Sequence, residues 1–322
     1  MRILITGAGG FIGSHLVEHL SKKFKIFAFL RYNSQGDIQN LKFLNKENFK
    51  NIEIVFGDLR AREEIEKVIK KVNLVINLAA NISVKRSFEN PEEVFFNNTL
   101  ITFNILNALK KNKIPLIHFS TSEVYGNPEK LPVKEKDSKN ALSPYAASKI
   151  ACDELVKSIC NYENIPFLIL RPFNTYGSRQ SIRSLIPWII YEILNSKVIK
   201  IGNLNTKRDF LYVKDLAKII EKLIEKEYFK GEEVNICSGK SYSVREIIKF
   251  LFEISGIEKK IKELEVRKRP FKNEIMELRG DNSKICKILG EINLTNFKEG
   301  LKETFEFYKK TGFESPSNFS LL

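Results

Sequence analysis

Arg2-Ile3-Leu4-Ile5-Thr6-Gly7-Ala8-Gly9-Gly10-Phe11-Ile12-Gly13-Ser14-His15-Leu16-Val17-Glu18-His19-Leu20 decides the fold class. An apolar run of strand length, Ile3 to Ile5, leads into glycines at 7, 10 and 13. A segment with Leu16, Val17 and Leu20 at helical spacing follows. Strand, glycine turn and helix in that order serve one physical need. The chain must turn tightly, let backbone approach a pyrophosphate, pack the helix against the strand, and aim the helix N-terminus at the anion. A glycine triplet alone is a weak signal; one that leaves a first strand and opens an amphipathic helix is strong. Gly7, Gly10, Phe11, Ile12 and Gly13 are therefore candidate dinucleotide-binding residues.

Working outward, the same alternation repeats. Ile26–Leu30 reads as a second strand, Ile52–Phe56 as a third ending in Gly57-Asp58-Leu59, and Val72–Leu78 as a fourth ending in Ala79-Ala80. A long amphipathic segment from Glu89 to Lys111 precedes the apolar run Leu116-Ile117-His118-Phe119, and Pro166–Leu170 is one more strand. Strands alternating with helices predict an α/β fold with a doubly wound parallel sheet, the Rossmann arrangement. Beyond Gly177 the alternation weakens. Helices are expected over Ser181–Leu194, Asp215–Lys226 and Ser243–Ser255, the last with Ser243 as cap and Glu246 three residues on. Short strands are expected near Lys200, over Arg208–Val213, and at Val234–Ile236, returning to the sheet. We read 1–176 as a dinucleotide-binding domain with returns near 210–236. Residues 177–322 are mainly a smaller, interleaved substrate-binding α/β domain over the sheet's carboxyl edge.

The second strand's end bears on the cofactor. An acid there would hold the ribose 2′-hydroxyl of NAD, whereas an arginine suits the 2′-phosphate of NADP. Here stand Arg31, Tyr32, Asn33 and Ser34, with no acid. NADP is favoured, with NAD, its ribose held otherwise, as the alternative.

Chemistry is expected between Ser120 and Lys149. The strand Leu116–Phe119 would deliver Thr121, Ser122 and Glu123 at its carboxyl end, where open α/β sheets bind ligands. Ser143-Pro144-Tyr145-Ala146-Ala147-Ser148-Lys149 begins a helix if Pro144 takes the first turn, which puts Tyr145 and Lys149 one turn apart on one face. An ammonium beside a phenol favours the phenolate, lowering a pKa of about 10. Such a tyrosine can take a proton from a sugar hydroxyl while hydride leaves the same carbon.

Composition closes off other classes. The 322 residues are 43% hydrophobic and 29% charged, which describes a globular chain. A net charge of +14 suggests nucleic acid, but the lysines are dispersed among glutamates and no nucleic-acid motif appears. A lysine-rich background with an anionic small substrate explains it better. Cys152, Cys160, Cys237 and Cys286 form no CxxC pair, and no carboxylate motif accompanies His15 and His19, so no metal is expected. Without a signal peptide or an apolar membrane-length segment, the expected location is the cytoplasm.

Thr6 to Gly13, Gly57-Asp58-Leu59, Asn77-Leu78-Ala79-Ala80, Tyr145 with Lys149, Arg171-Pro172-Phe173-Asn174 and Arg208-Asp209-Phe210 together resemble the extended short-chain dehydrogenase/reductase family, across essentially the whole chain. Ser120–Gly126, Asn174-Thr175-Tyr176-Gly177-Ser178-Arg179-Gln180 and Asp281–Lys284 resemble its nucleotide-sugar 4,6-dehydratases. The likeness is closest to those that start legionaminic acid synthesis on a nucleotide-linked N-acetylglucosamine. It implies C4 oxidation, loss of water across C5–C6, and hydride return to C6. It assigns O4 to Tyr145 and Thr121, the C5 proton to Glu123, and cofactor contacts to Asp58, Leu59, Ala79, Ala80, Tyr145 and Lys149. Asn98 would orient the active-site helix. Asn174, Arg208, Arg269 and, more weakly, Arg183 would hold the nucleotide-diphosphate sugar. Ser122 departs from the dTDP-glucose dehydratases, which carry an aspartate there as general acid. UDP-glucuronate decarboxylases and sugar 4-epimerases share much of the pattern, and a non-catalytic cofactor sensor would share the fold. A homodimer or homotetramer, paired through the helix after Glu89 and the Tyr145 helix, is also implied.

Overall fold

The computed structural model describes residues 1–265 and 274–313. The first half runs β1 (Arg2–Thr6), α1 (Phe11–Leu20), β2 (Lys25–Arg31), β3 (Ile52–Gly57), α2 (Arg62–Ile69) and β4 (Leu74–Asn77). It continues through α3 (Val84–Glu89), α4 (Pro91–Leu109), β5 (Leu116–Phe119), α5 (Pro144–Glu163) and β6 (Phe167–Pro172). Then come β7 (Asn174–Tyr176), α6 (Leu185–Asn195), β8 (Val198–Ile201), β9 (Lys207–Tyr212), α7 (Val213–Glu225) and β10 (Lys230–Ile236). The described chain ends with β11 (Ser241–Ser243), α8 (Val244–Ser255), β12 (Lys260–Glu263), β13 (Glu277–Leu278), α9 (Ser283–Leu289) and α10 (Phe297–Thr311).

Seven strands form one sheet in the order β10-β6-β5-β4-β1-β2-β3, every neighbouring pair parallel. The doubly wound α/β fold expected from the sequence is present. Its strands are apolar throughout because helices cover both faces. Side-chain alternation assigns those faces: Ile3 and Ile5 pack with Leu16, Leu20, Leu216 and Leu223 of α1 and α7. Leu4 and Phe27 turn to the other side, where Ile65, Ile105, Leu109 and Val156 of α2, α4 and α5 seal it. The strand order reverses at β1 and β4, and the crevice beyond their carboxyl ends is where such sheets bind ligands.

A second layer of structure stands over that edge. β7, β9, β11 and β13 make a four-stranded sheet, with α6, α8 and α10 packed about Ile189, Ile247, Phe297 and Leu301. β8 and β12 form a separate parallel pair.

Several boundaries differ from the expectation. The expected segment Glu89–Lys111 is one helix, α4, trimmed to Pro91–Leu109 with Pro91 at its first turn, and a short helix α3 that the pattern did not show precedes it. Ser181–Ser184 is a turn rather than helix, and α6 starts at Leu185. Val213 opens α7 instead of ending a strand, and the fourth strand is only Leu74–Asn77. At α8 the capping box is complete: Ser243 accepts from the Glu246 N–H, and Glu246 accepts from Ser243.

Candidate active site

The crevice at the switch point is a cleft of about 340 Å³, within the range of small-molecule sites. The glycine turn floors it, and Arg31, Asp58 and Ala79 mark the ends of β2, β3 and β4 around it. The glycines are sterically required. A Cβ on Gly13 would lie 2.2 Å from the Gly7 carbonyl, and one on Gly7, whose φ is +64°, 3.1 Å from Ala79 N. No side chain caps α1, so its N-terminal N–H groups are left for an anion. These residues fit a dinucleotide diphosphate. Of the expected cofactor residues, Gly7, Gly10, Phe11, Ile12, Gly13, Arg31, Asp58, Leu59, Ala79 and Ala80 line the cleft, while Asn98, Tyr145 and Lys149 are not among its lining residues.

Arg60 and Gln39 are among the lining residues absent from the sequence reading. Arg60 chelates Asp58, its Nε 3.0 Å from each carboxylate oxygen and Nη2 2.5 Å from Oδ2. That hydrogen-bonded pair holds the Asp58 carboxyl below its usual range. The signal was one residue past Gly57-Asp58-Leu59. Gln39 also lines the cleft, from the first residue of a short 3-10 turn, Gln39–Phe43, that carries no motif.

Beyond the cleft, β5 ends at Phe119 and the chain enters a tight 3-10 turn, Ser122–Tyr125, capped by Thr121, whose Oγ accepts from the Glu123 N–H at 3.2 Å. Thr121 is also hydrogen-bonded to the Tyr145 hydroxyl, and the Glu123 charge bears on the same phenol. Thr121, Glu123 and Tyr145 are thus brought together; Ser122, though adjacent, is 3% exposed. Ser143 caps α5 by accepting from Ala146 N at 3.1 Å, and Pro144 takes the first turn. Lys149, one turn beyond Tyr145 and 4% exposed, donates to the Phe119 carbonyl at 2.5 Å. Asn98 on α4 braces this helix, donating to Ser148 Oγ at 2.9 Å and accepting from Asn81 N at 2.7 Å.

One expectation is reversed. Burial pushes the Tyr145 phenol well above its usual value, outweighing the Thr121 hydrogen bond that pulls the other way, and Glu123 adds to the rise. Burial also lowers Lys149, whose ammonium is spent on a backbone carbonyl. Desolvation of the ionised form dominates both groups.

A sealed polar cluster supports the site from behind. Asp153 accepts from Ser120 at 2.9 Å and from Arg171 at 3.2 Å, and Arg171 reaches Glu233 at 2.6 Å and Tyr125 at 2.9 Å.

The substrate candidates lie apart from the cleft. Asn174 is exposed at the start of β7, opposite Phe210 in register, two residues along β9 from Arg208. The Arg208 guanidinium donates to the carbonyls of Lys207 and Ile275 at 2.9 and 2.7 Å. Arg183 is exposed. Arg269 lies outside the described residues. His15 meets the Ser178 carbonyl at 3.0 Å and His19 meets Glu221 at 2.7 Å. Among the described residues, no group of three His, Cys, Asp or Glu could hold a metal, and no helix is long and apolar enough to cross a membrane.

Residues 4–304 match the family model described as GDP-mannose 4,6 dehydratase. A curated relative from Methanocaldococcus jannaschii, described as a putative UDP-glucose 4-epimerase, is 36% identical over 95% of this chain and 98% of its own. The solved UDP-N-acetylglucosamine 4-epimerase of Methanobrevibacter ruminantium, in complex with UDP-N-acetylmuramic acid, is 31% identical with a TM-score of 0.85. The match covers 96% of this chain and 98% of that one. The dTDP-glucose 4,6-dehydratase of Bacillus anthracis, solved in complex with NAD, is 26% identical with a TM-score of 0.85, covering 97% of each. That relative carries NAD, which lends no support to the NADP preference read from Arg31.

Proposed function

The chain belongs to the GDP-mannose 4,6-dehydratase family, and on that premise we propose that it is a nicotinamide-dependent nucleotide-sugar 4,6-dehydratase acting on a UDP- or GDP-linked N-acetylglucosamine. One observation carries the reading: Glu123 is held on the turn after β5 beside Thr121 and the Tyr145 phenol. A hexose C5 hydrogen is not acidic until C4 becomes a ketone, so a dehydratase needs a base for an alcohol proton and a second base for a carbon acid. Tyr145 takes the first role and Glu123 the second. Thr121 holds the O4 position by the same hydroxyl that meets Tyr145. Lys149, one turn beyond Tyr145, is anchored to β5 through the Phe119 carbonyl. When bound, the nicotinamide supplies the hydride acceptor for C4, the hydride donor for C6 and, oxidised, a positive charge that offsets the burial of Tyr145. Serine is a poor acid and Ser122 is buried, so Glu123 also returns its proton to the departing C6 hydroxyl.

Ser122 and the two epimerase relatives favour a second reading, C4 epimerisation, in which Glu123 has no proton to abstract. The test is a panel of UDP-, GDP- and dTDP-sugars with products read by mass. A dehydratase product is lighter by one water and takes one deuterium at C5 from deuterated solvent; an epimer is isobaric and takes none. Glu123→Gln should slow elimination by roughly 10² to 10⁴ while C4 oxidation persists, so reduced-nicotinamide absorbance accumulates. An isobaric product with Glu123→Gln near wild-type rate rejects the dehydratase.

A further inference from the structure

We propose that Gln39 holds the adenosine ribose of the dinucleotide in place of the acid missing after β2, and that it selects NAD over NADP. The inference deepens the reading of the cleft as a dinucleotide site and rests on it. Gln39 lies directly on the glycine turn. A methyl added at Gly9 would stand 2.5 Å from the Gln39 carboxamide oxygen and 2.9 Å from its Cβ. The side chain therefore occupies the space that any larger residue at Gly9 would take, and Gln39 lines the same cleft as Arg31 and Asp58, which mark its end at β2 and β3.

The backbone at Gln39 is held in a conformation that glutamine does not favour. Its φ is +54°, in the left-handed region. The residue is pinned there from both sides: its N–H donates to Asp37 Oδ1 at 2.8 Å, and the next N–H, of Asn40, donates to the Gly9 carbonyl at 3.2 Å. Asn33 braces the loop further by accepting from the N–H groups of Gln35 and Asp37 at 3.1 and 2.9 Å. A non-glycine residue kept in left-handed backbone inside a ligand cleft points to a use for its side chain, since glycine would relieve the strain.

The chemistry suits a ribose. A carboxamide offers an acceptor oxygen and two donor hydrogens, so it can pair with a hydroxyl that both donates and accepts. A 2′-phosphate is bulkier, carries only acceptors, and would have to displace the carboxamide from Gly9. Of the two arginines at that end, Arg60 is committed to Asp58, leaving Arg31 alone to reward such a phosphate. Gln39 thus supplies the other means of holding the ribose that the missing acid requires.

The experiment measures NAD and NADP dissociation constants by calorimetry on the purified full chain, stripped of any bound nucleotide, together with melting temperatures. Wild type should bind NAD at least tenfold tighter than NADP. Gln39→Gly should weaken NAD by about 3- to 10-fold, the worth of one neutral hydrogen bond, while the melting temperature holds or rises because the strain is relieved. Gly9→Ala, which pushes the carboxamide away, should cause a similar loss in wild type and almost none in the Gln39→Gly background. Tighter NADP binding in wild type, or full NAD affinity in Gln39→Gly, overturns the role of Gln39 and leaves the dinucleotide site standing. If neither dinucleotide binds, the reading of the cleft falls, and this inference with it.

Discussion

Burial sets the charge of the histidines. His15 packs edge-on against Phe11, and burial, helped by Arg179, lowers its pKa to about 3. His118 on β5 is fully enclosed and held well below its usual value by burial, with the Lys149 charge adding to the effect. Both are neutral in the folded chain and titrate near 6.5 when it unfolds. The unfolded state then binds more protons below that value, so their contribution to stability is complete above about pH 6.5 and is lost as pH falls toward the folded pKa. Each histidine can cost at most about 1.4 kcal/mol per pH unit in that window. Urea unfolding between pH 7.5 and about 5 should show the decline, and His15→Gln should flatten its share. An unchanged slope in the variant would show that His15 is not buried neutral. The same physics explains why the Tyr145 environment was misjudged from sequence: spacing reveals the neighbouring ammonium, but the desolvation that outweighs it depends on how tightly α5 packs against β5.

At the scale of elements, α5 carries the site and its first turn depends on one cap. Ser143, 7% exposed, accepts from Ala146 N, and Tyr145 lies inside the turn that this bond closes. Ser143→Ala should destabilise the chain by about 1 kcal/mol, and Ser143→Asp, which restores an acceptor, should recover most of it. Chemical denaturation reads both; equal loss in the two variants would mean that the cap is not what holds the turn. This element was legible because its signals are local: Pro144 at the first turn, a serine before it, and an apolar strand Leu116–Phe119 ending beside Thr121. The glycine turn was legible for the same reason. Gln39 was not, because its place in the cleft comes from a left-handed residue and a hydrogen bond from Asn40 to Gly9, and neither leaves a periodic trace. Arg60 stood in plain view, but only the folded turn shows that it grips Asp58. The short helix α3 was missed because its six residues are too few to show a helical period, whereas α4 was legible within two residues at either end.

For the whole molecule, α4 has two working faces. Its inner face holds the site together: Asn98 braces Ser148, and Asn104 donates to the carbonyls of Leu59 and Arg60 beside the cleft at 3.1 and 2.9 Å. Its outer face carries Phe96, Leu100 and Phe103 at helical spacing, 64, 42 and 44% exposed, with Phe95 beside them. Aromatic and aliphatic side chains stacked along one helix in water make an apolar stripe of the kind that marks an association surface. The family resemblance in the sequence implies pairing through α4 and α5, and the stripe is where a second copy would bury apolar area. We expect a dimer at micromolar concentration by light scattering. With a net charge of +14 on each copy, long-range repulsion is screened by salt, so an apolar interface should tighten as ionic strength rises. Phe96→Glu with Phe103→Glu places carboxylates in the stripe without touching the inner face, and should yield folded monomers. Because the inner face still positions Leu59 and Arg60 through Asn104, those monomers should keep their helical content and bind dinucleotide about as well as wild type. A wild-type chain that scatters as a monomer, or a double variant that remains dimeric, would place the association surface elsewhere and leave the exposed phenylalanines of α4 without that use.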